Sequence, residues 1–211
     1  MNYKVYLFDF DYTLANSEKG ILTCFRHVLG MNGFSGISDN TIKGTIGLTL
    51  EDAFRFMTAT EDEQLLREYR AQYVKKADTE MNVNTFFYPE AVPLLKRLKA
   101  NDKKTGIIST KYRYRIEQFL ALNGATDLID LIIGGEDVKA AKPDPQGILK
   151  AIEVFGVSSD EVMYVGDNTI DALAGMNAGV DFLGVTTGTT TAEELVEYPH
   201  VKIMRTLAEL Y

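Results

Sequence analysis

Two aspartates, Asp9 and Asp11, directly follow an apolar run near the start of the chain, in the stretch LFDFDYTL. The run from Val5 to Phe8 has no polar alternation, which is typical of a strand buried on both faces in a parallel sheet. In open α/β sheets, ligands lie at the carboxyl ends of the strands, where these two side chains would be placed. Two carboxylates so close repel each other unless a cation or a shared proton intervenes. The spacing therefore indicates a metal site, a proton-transfer site, or both.

Later apolar strands are also followed by residues that could do chemistry. These are hydroxyl, lysine and carboxylate side chains: Ser109, Thr110, Lys111, Lys142, Asp167 and Asp171. Because a parallel sheet brings its carboxyl ends to one edge, we expect this set to gather around Asp9 and Asp11. A carboxylate such as Asp9 can form an aspartyl-phosphate, and hard oxygen ligands suit Mg²⁺. Hydroxyl and ammonium groups can hold the remaining phosphoryl oxygens, so the set favours phosphoryl transfer.

The elements that must position these residues fall into two regions of the chain. Strand and helix patterns alternate from about residue 85 onward, which predicts parallel pairing through right-handed crossovers. Between residues 15 and 84 the pattern predicts helices and no convincing strand. We therefore predict an α/β core with a doubly wound, mainly parallel sheet, built from residues 1–14 and 85–211. An all-helical domain at residues 15–84 would interrupt it.

Several predicted helices begin at recognisable capping residues. Ser17 stands at the start of the first helical pattern, and Thr49 and Asp52 have capping-box-like spacing before another. Asp144 followed by Pro145 predicts an N-cap and a first helical position.

The composition limits the classes of partner. With 30 acidic and 22 basic residues the net charge is −8, which argues against nucleic acid as a partner. A small anionic substrate held by a few placed cations remains compatible with this charge. The single Cys24 cannot form an internal disulfide. Because the chain enters a strand at once and has no span of membrane length, we expect no signal peptide, no membrane contact and a cytoplasmic protein.

Four short motifs resemble those of the haloacid dehalogenase-like hydrolase superfamily, on its phosphatase side. DFDYT resembles the first motif, Asp-x-Asp-x-Thr, and IIST resembles the second, an apolar strand ending in Ser or Thr. Lys142 in AAKPDP resembles the third motif, and GDNTID resembles the fourth. Four motifs in order are a far more specific signal than one. The resemblance covers essentially the whole chain and implies a Rossmann-like core with a helical cap of the first type at residues 15–84.

The resemblance also implies catalytic roles. Asp9 would be the nucleophile, and Asp11 would be the general acid and base. Ser109 would bind the phosphoryl group, and Lys142 would neutralise and orient it.

By the same resemblance the cofactor is Mg²⁺. Asp9 and Asp167 would be its carboxylate ligands, and Asp11 would contribute its backbone carbonyl. Asp171 would support the metal site by holding neighbouring residues in place and not as a direct ligand.

Substrate-binding residues follow from a closer resemblance, to the phosphoglycolate phosphatase and pyrophosphatase branch. STKYRYR resembles a Thr-Asn-Lys stretch of that branch, which implies that Lys111 helps to hold an anionic substrate and that Thr110 contributes its backbone N–H. Arg113 and Arg115, beyond it, fit a solvated helix start. In the predicted cap, GTIGLTLED resembles the specificity loop of the branch. Its residues Thr45, Ile46, Gly47 and Leu48 would face the active site, with Thr45 and Gly47 as substrate-binding residues.

One position departs from the family pattern. The family often has glycine where this chain has Tyr12. Two explanations stay open: the tyrosine ring is directed toward the cap, or the turn has ordinary backbone dihedral angles.

The reaction class has a leading hypothesis and two rivals. Asp11 argues against dehalogenation, because displacing a halide needs no proton for the leaving group. Hydrolysis of a small phosphate ester (phosphoglycolate-like, pyrophosphate, a nucleotide or a sugar phosphate) leads, with a β-phosphoglucomutase-like phosphomutase as alternative. Such mutases tend to have valine where this chain has Thr13. A signalling receiver is a distant third, because receivers put the phosphorylated aspartate on a middle strand. Nothing marks an oligomer interface, so monomer is the default and a dimer stays open.

Overall fold

The computed structural model of the protein describes residues 3–210, which form two compact units. One unit consists of the chain up to Ala15 together with the chain from Phe87 onward, and the other is Asn16–Phe86. The first unit contains a sheet with helices, and the second is mainly helical. That the helical unit acts as a cap stays a prediction.

The strands are short, and most of them lie in the sheet unit. In chain order they are β1 (Val5–Phe8), β2 (Ala15–Asn16), β3 (Phe86–Phe87), β4 (Lys104–Ile108), β5 (Leu131–Ile133), β6 (Val162–Gly166), β7 (Asp181–Val185) and β8 (Lys202–Met204). Across the described residues, six of them form one sheet in the order β5-β4-β1-β6-β7-β8, and its ladders are parallel. β2 and β3 form a separate two-stranded sheet.

The helices are divided between the units. The helical unit contains α1 (Glu18–Met31), α2 (Asp39–Lys43), α3 (Leu50–Thr58) and α4 (Glu63–Glu80). The sheet unit contains α5 (Ala91–Ala100), α6 (Arg113–Leu122), α7 (Gln146–Phe155), α8 (Thr169–Ala178) and α9 (Ala192–Leu195). Among the described helices, none has both the length and the apolar character needed to cross a membrane.

Two apolar cores lie on opposite faces of the sheet. Successive side chains of β1 alternate between them: Phe8 packs in the core with residues of α5 and α6, and Leu7 packs in the core with residues of α7 and α8. Helices therefore cover both faces, which confirms the predicted doubly wound α/β fold. It also explains the uninterrupted apolar run of β1, because both of its faces are buried.

The central position of β1 decides which strand ends are neighbours. Phe8 is in register with Ile107 of β4 on one side and with Val165 of β6 on the other. The chain proceeds from β1 to β4 and β5 in one direction and then to β6, β7 and β8 in the other. The carboxyl ends of β1 and β6 thus flank the point where the strand order reverses, where doubly wound sheets bind ligands.

The helix starts agree with the sequence in part. Thr49 caps α3 as predicted: its Oγ1 accepts from the Asp52 N–H at 3.1 Å and donates to Asp52 Oδ2 at 2.6 Å. Asp144 accepts a hydrogen bond from the N–H of Gln146 at 2.9 Å. The helix α7 begins at Gln146, one residue later than the predicted start at Pro145. The prediction that Ser17 caps α1 was wrong, because its side chain accepts no cap hydrogen bond.

The helical unit has an aromatic core of its own. Phe25 of α1 contacts Phe54 of α3 and Tyr73 of α4, with ring centroids 5.0 and 4.7 Å apart. The short helix α2 lies in a segment that the sequence pattern did not predict as helical, since five residues are too few to show a period. Ser38 caps it, accepting from Thr41 N–H at 3.1 Å.

Candidate active site

The turn after β1 carries the first pair of aspartates. Its backbone closes through Leu14 and Ala15, whose N–H groups donate to Phe10 O at 3.1 and 3.0 Å. Tyr12 lies inside this turn with φ of +62°. The hypothesis of ordinary dihedral angles at Tyr12 was therefore wrong. A glycine would adopt this left-handed conformation without strain, which gives the family's usual residue a physical reason.

Three buried carboxylates converge beside this turn. Oxygens of Asp9, Asp167 and Asp171 lie within 4.8 Å of one another. The ammonium of Lys142 lies among them, with Nζ 2.8 Å from Asp9 Oδ1 and 2.6 Å from Asp171 Oδ1. The side chains of Lys142, Asp9 and Asp171 are no more than 6% exposed in these two pairs. Three carboxylates and one ammonium leave two negative charges when all are ionised.

Burial changes the titration of the cluster. It raises the pKa of Asp9 to about 7, although the charge of Lys142 opposes this, and it raises the pKa of Asp167 well above its usual range. Burial by itself would lower the pKa of Lys142. The charges of Asp171 and Asp9 outweigh it and hold that pKa well above its usual range. At neutral pH the lysine is charged, and the carboxylates favour either a shared proton or a cation.

The raised pKa of Asp9 predicts that the metal-free protein becomes less stable as pH rises from about 5 to about 7.5. The usual pKa of an aspartate is 3.8, so between pH 3.8 and about pH 7 Asp9 is protonated in the folded state and ionised in the unfolded state. The free energy of unfolding therefore falls as pH rises through this range. For Asp9 alone the free energy of unfolding should fall by about 2 kcal/mol over this range. Urea unfolding in EDTA at both pH values measures it. Asp9→Asn is the control, and an equal pH slope in wild type and variant would contradict the prediction.

Asp171 holds Lys142 through a network that includes a residue not predicted from the sequence. Tyr164 of β6 is fully buried and donates its hydroxyl to Asp171 Oδ1 at 2.8 Å, and Lys142 Nζ donates to that hydroxyl at 3.3 Å. The other oxygen of Asp171 accepts from the N–H of Asn168 at 3.2 Å. These contacts fit a supporting role for Asp171. The sequence did not single out Tyr164, because it lies within an apolar strand pattern in which only its hydroxyl is polar.

Thr13 makes a second contact that was not predicted from the sequence, where its residue type only favoured hydrolysis over a phosphomutase reaction. Its hydroxyl is buried and donates to Asp167 Oδ1 at 3.2 Å. Thr13 therefore holds one oxygen of Asp167 in place.

The loop after β4 brings Lys111 to Asp11. Lys111 Nζ lies 3.0 Å from Asp11 Oδ1, and the lysine side chain is only 7% exposed. Its N–H donates to Ser109 Oγ at 3.2 Å, which places Ser109 in the same loop, next to β1. Thr110 between them is half-buried. Interpreting this region as a solvated helix start was wrong for Arg115, which is buried, whereas Arg113 is exposed.

The two predicted specificity residues lie in the helical unit. Thr45 is buried and donates its hydroxyl to Ile42 O at 2.7 Å. Gly47 has φ of +103°, a conformation that favours glycine. Their contact with substrate stays a prediction.

The donor set fits Mg²⁺. Asp9, Asp167 and Asp171 offer hard carboxylate oxygens, and a divalent cation would neutralise the two excess negative charges of the fully ionised cluster.

Comparison with known proteins agrees with this geometry. The model of the haloacid dehalogenase-like hydrolase family matches residues 6–185. A pyrophosphatase PpaX of Bacillus cereus is 30% identical over 179 residues, which are 85% of this chain and 81% of that protein.

Solved structures are similar over nearly the whole chain. A Bacteroides fragilis protein, named as a haloacid dehalogenase-like hydrolase, is 51% identical with a TM-score of 0.97, covering 99% of this chain and all of that one. A predicted phosphoglycolate phosphatase from Haemophilus somnus shares the fold, with 21% identity, a TM-score of 0.90 and coverage of 100% and 97%. The chain therefore belongs to the haloacid dehalogenase-like hydrolases and is a phosphatase of that family.

Proposed function

We propose that this phosphatase depends on Mg²⁺ and hydrolyses a small phosphorylated metabolite through an aspartyl-phosphate on Asp9. One observation carries the proposal: Asp9 is buried at the end of the central strand, with Lys142 and two further carboxylates around it. A buried carboxylate beside an ammonium suits a nucleophile that must meet an anionic phosphoryl group. Bound Mg²⁺ would neutralise charge on the phosphoryl oxygens.

The reaction would proceed in two displacements. An oxygen of Asp9 attacks phosphorus, the bond from phosphorus to the leaving oxygen breaks, and Asp11 donates a proton to that oxygen. Water then attacks the phosphorus of the aspartyl-phosphate and gives its proton to Asp11. The bond between phosphorus and Asp9 breaks, releasing inorganic phosphate and restoring both carboxyl groups.

The other site residues would support these steps. Ser109 and the N–H of Thr110 would hold phosphoryl oxygens, and Lys142 would neutralise the phosphoryl group. Asp167 would bind the metal, and Asp171 would keep Lys142 in place through its 2.6 Å contact.

The position of Lys111 supports a substrate whose leaving group carries its own negative charge, such as pyrophosphate or phosphoglycolate. The ammonium lies against Asp11, the proposed proton donor to the leaving oxygen, at 3.0 Å. A carboxylate or phosphate of the leaving group would meet it there.

Lys111→Met tests this substrate class. We expect kcat/KM to fall by about 10- to 100-fold for pyrophosphate and phosphoglycolate, because one charge-assisted hydrogen bond is lost. For glycerol phosphate, whose leaving group is neutral, the loss should stay below about threefold. Lys96→Met, at an exposed position of α5, is the control and should behave as wild type. Equal losses on all three substrates would show that Lys111 acts on Asp11 and not on the substrate.

Residues 15–84 are proposed as a cap, with Thr45 and Gly47 among the residues that select the leaving group. The resemblance to the phosphoglycolate phosphatase branch supports this. We also propose a cytoplasmic protein, which is a monomer by default, with a dimer as the alternative.

The deciding experiment is phosphate release from a panel of small phosphate esters and pyrophosphate, with Mg²⁺ and with EDTA. We expect release that needs Mg²⁺ and vanishes in Asp9→Asn. Isomerised sugar phosphate without free phosphate would replace hydrolysis by a phosphomutase reaction. A stable phosphoprotein that releases phosphate from no panel member would contradict the proposed hydrolysis of the aspartyl-phosphate.

A further inference from the structure

We propose that the loop after β7 is part of the metal site, with Gly188 as a positioning residue that sets the affinity for Mg²⁺. No motif marked this loop, and its glycine contacts the carboxylate that would bind the metal. The proposal rests on the Mg²⁺ dependence proposed above.

The space around Gly188 is filled by Asp167. A Cβ added at Gly188 would overlap Asp167 Oδ2 and lie 2.8 Å from its Cγ and 3.2 Å from Tyr12 Cβ. The φ of Gly188 lies outside the left-handed region, so alanine is allowed by the backbone there. Glycine at this position is therefore needed for space and not for backbone freedom.

The loop is held in place on its other sides. The N–H of Thr186 donates to Met204 O of β8 at 2.9 Å, and Tyr88 donates its hydroxyl to Thr187 O at 3.2 Å. Thr187 donates its own hydroxyl to Tyr12 O, in the turn that follows Asp11. The loop cannot retreat from Asp167 without breaking these bonds.

Asp167 is thus confined from two directions. Thr13 donates to Oδ1 at 3.2 Å, and Gly188 lies against Oδ2. This confinement keeps the carboxylate where its oxygen is within 4.8 Å of those of Asp9 and Asp171. A methyl group at position 188 would displace the carboxylate from the metal-binding cluster, because the loop is tied more firmly than the side chain.

Mg²⁺ binding by Gly188→Ala, measured by calorimetric titration without substrate, tests the proposal. We expect the dissociation constant for Mg²⁺ to rise about tenfold or more, as for other changes that move a metal ligand indirectly. The melting temperature in EDTA should also fall, because the displaced carboxylate is buried and is held by the hydroxyl of Thr13.

Gly184→Ala on β7 is the matched control. A Cβ at Gly184 would lie 2.7 Å from Ile203 Cδ1, so this variant is also crowded, but by apolar side chains. It should lower the melting temperature and leave the Mg²⁺ dissociation constant within about twofold. If Gly188→Ala also binds Mg²⁺ within twofold of wild type, the proposal is overturned.

A second variant keeps the test valid if Gly188→Ala fails to fold. Thr187→Val keeps the side-chain shape, removes the hydrogen bond to Tyr12 O and adds nothing against Asp167. We expect the Mg²⁺ dissociation constant to rise about threefold to tenfold, and an unchanged constant would overturn the role of the loop. A wild-type protein that releases phosphate without binding Mg²⁺ would instead overturn the proposed metal dependence.

Discussion

Asp9→Asn is expected to abolish phosphate release while making the metal-free protein more stable at about pH 8. The activity should fall by about a thousandfold or more, because an amide cannot form the covalent intermediate. The stability should rise because the ionised Asp9 carboxylate is buried and has a pKa raised to about 7, so charging it at higher pH costs free energy. The contact of Asp9 with Lys142, at 2.8 Å, is already part of this pKa and limits the gain. We expect a net increase in the free energy of unfolding of about 2 kcal/mol.

Two measurements check this prediction separately. Phosphate release in Mg²⁺ reports on the nucleophile, and urea unfolding in EDTA at about pH 8 reports on the electrostatics. A variant that keeps its activity would exclude Asp9 as nucleophile. A variant that is inactive and also less stable would leave the catalytic role intact, but it would contradict the electrostatic account of the cluster.

Lys142→Met is expected to have the opposite effect on stability. The ammonium contacts Asp9 and Asp171 at 2.8 and 2.6 Å, and Met preserves the length and much of the packing of its side chain. Removing it leaves buried carboxylates uncompensated, so the metal-free protein should lose about 3 kcal/mol at about pH 8. At about pH 5 the loss should be much smaller, because the cluster then holds a proton. Phosphate release should fall by about a hundredfold or more, since the phosphoryl charge loses its neutralising group.

Lys150→Met is the matched control for this variant. Lys150 is exposed on α7 and donates to Asp137 O at 3.2 Å, outside the acidic cluster. Its free energy of unfolding should stay within about 0.5 kcal/mol of wild type at both pH values. If Lys142→Met loses the same stability at both pH values, the loss comes from packing and not from charge.

Much of the fold was predictable from local patterns of apolar and polar residues in the sequence. The unbroken apolar run of β1 indicated burial on both faces, and the sheet places this strand between β4 and β6. Alternating strands and helices indicated parallel pairing, which is confirmed. Helix ends were only partly predictable: Thr49 caps α3 as predicted, but Ser17 does not cap α1. The residue type alone does not determine the backbone angles that capping requires.

The sequence by itself determined which residues stand at the strand ends. Asp9, Lys142, Asp167 and Asp171 could be proposed as one group because parallel strands present their carboxyl ends at one edge. Chain position and residue type are enough to identify these four residues, and the structure brings them together.

Only the tertiary structure decided how these residues are held. Tyr164 reaches Asp171 from inside a strand, Thr13 and Gly188 confine Asp167 from segments far apart in the chain, and Lys111 pairs with Asp11. A hydroxyl within an apolar run or a glycine in a loop has no pattern of its own that marks a site. The role of such a residue depends on which remote side chain it contacts, and that contact is set by the packing of the whole unit.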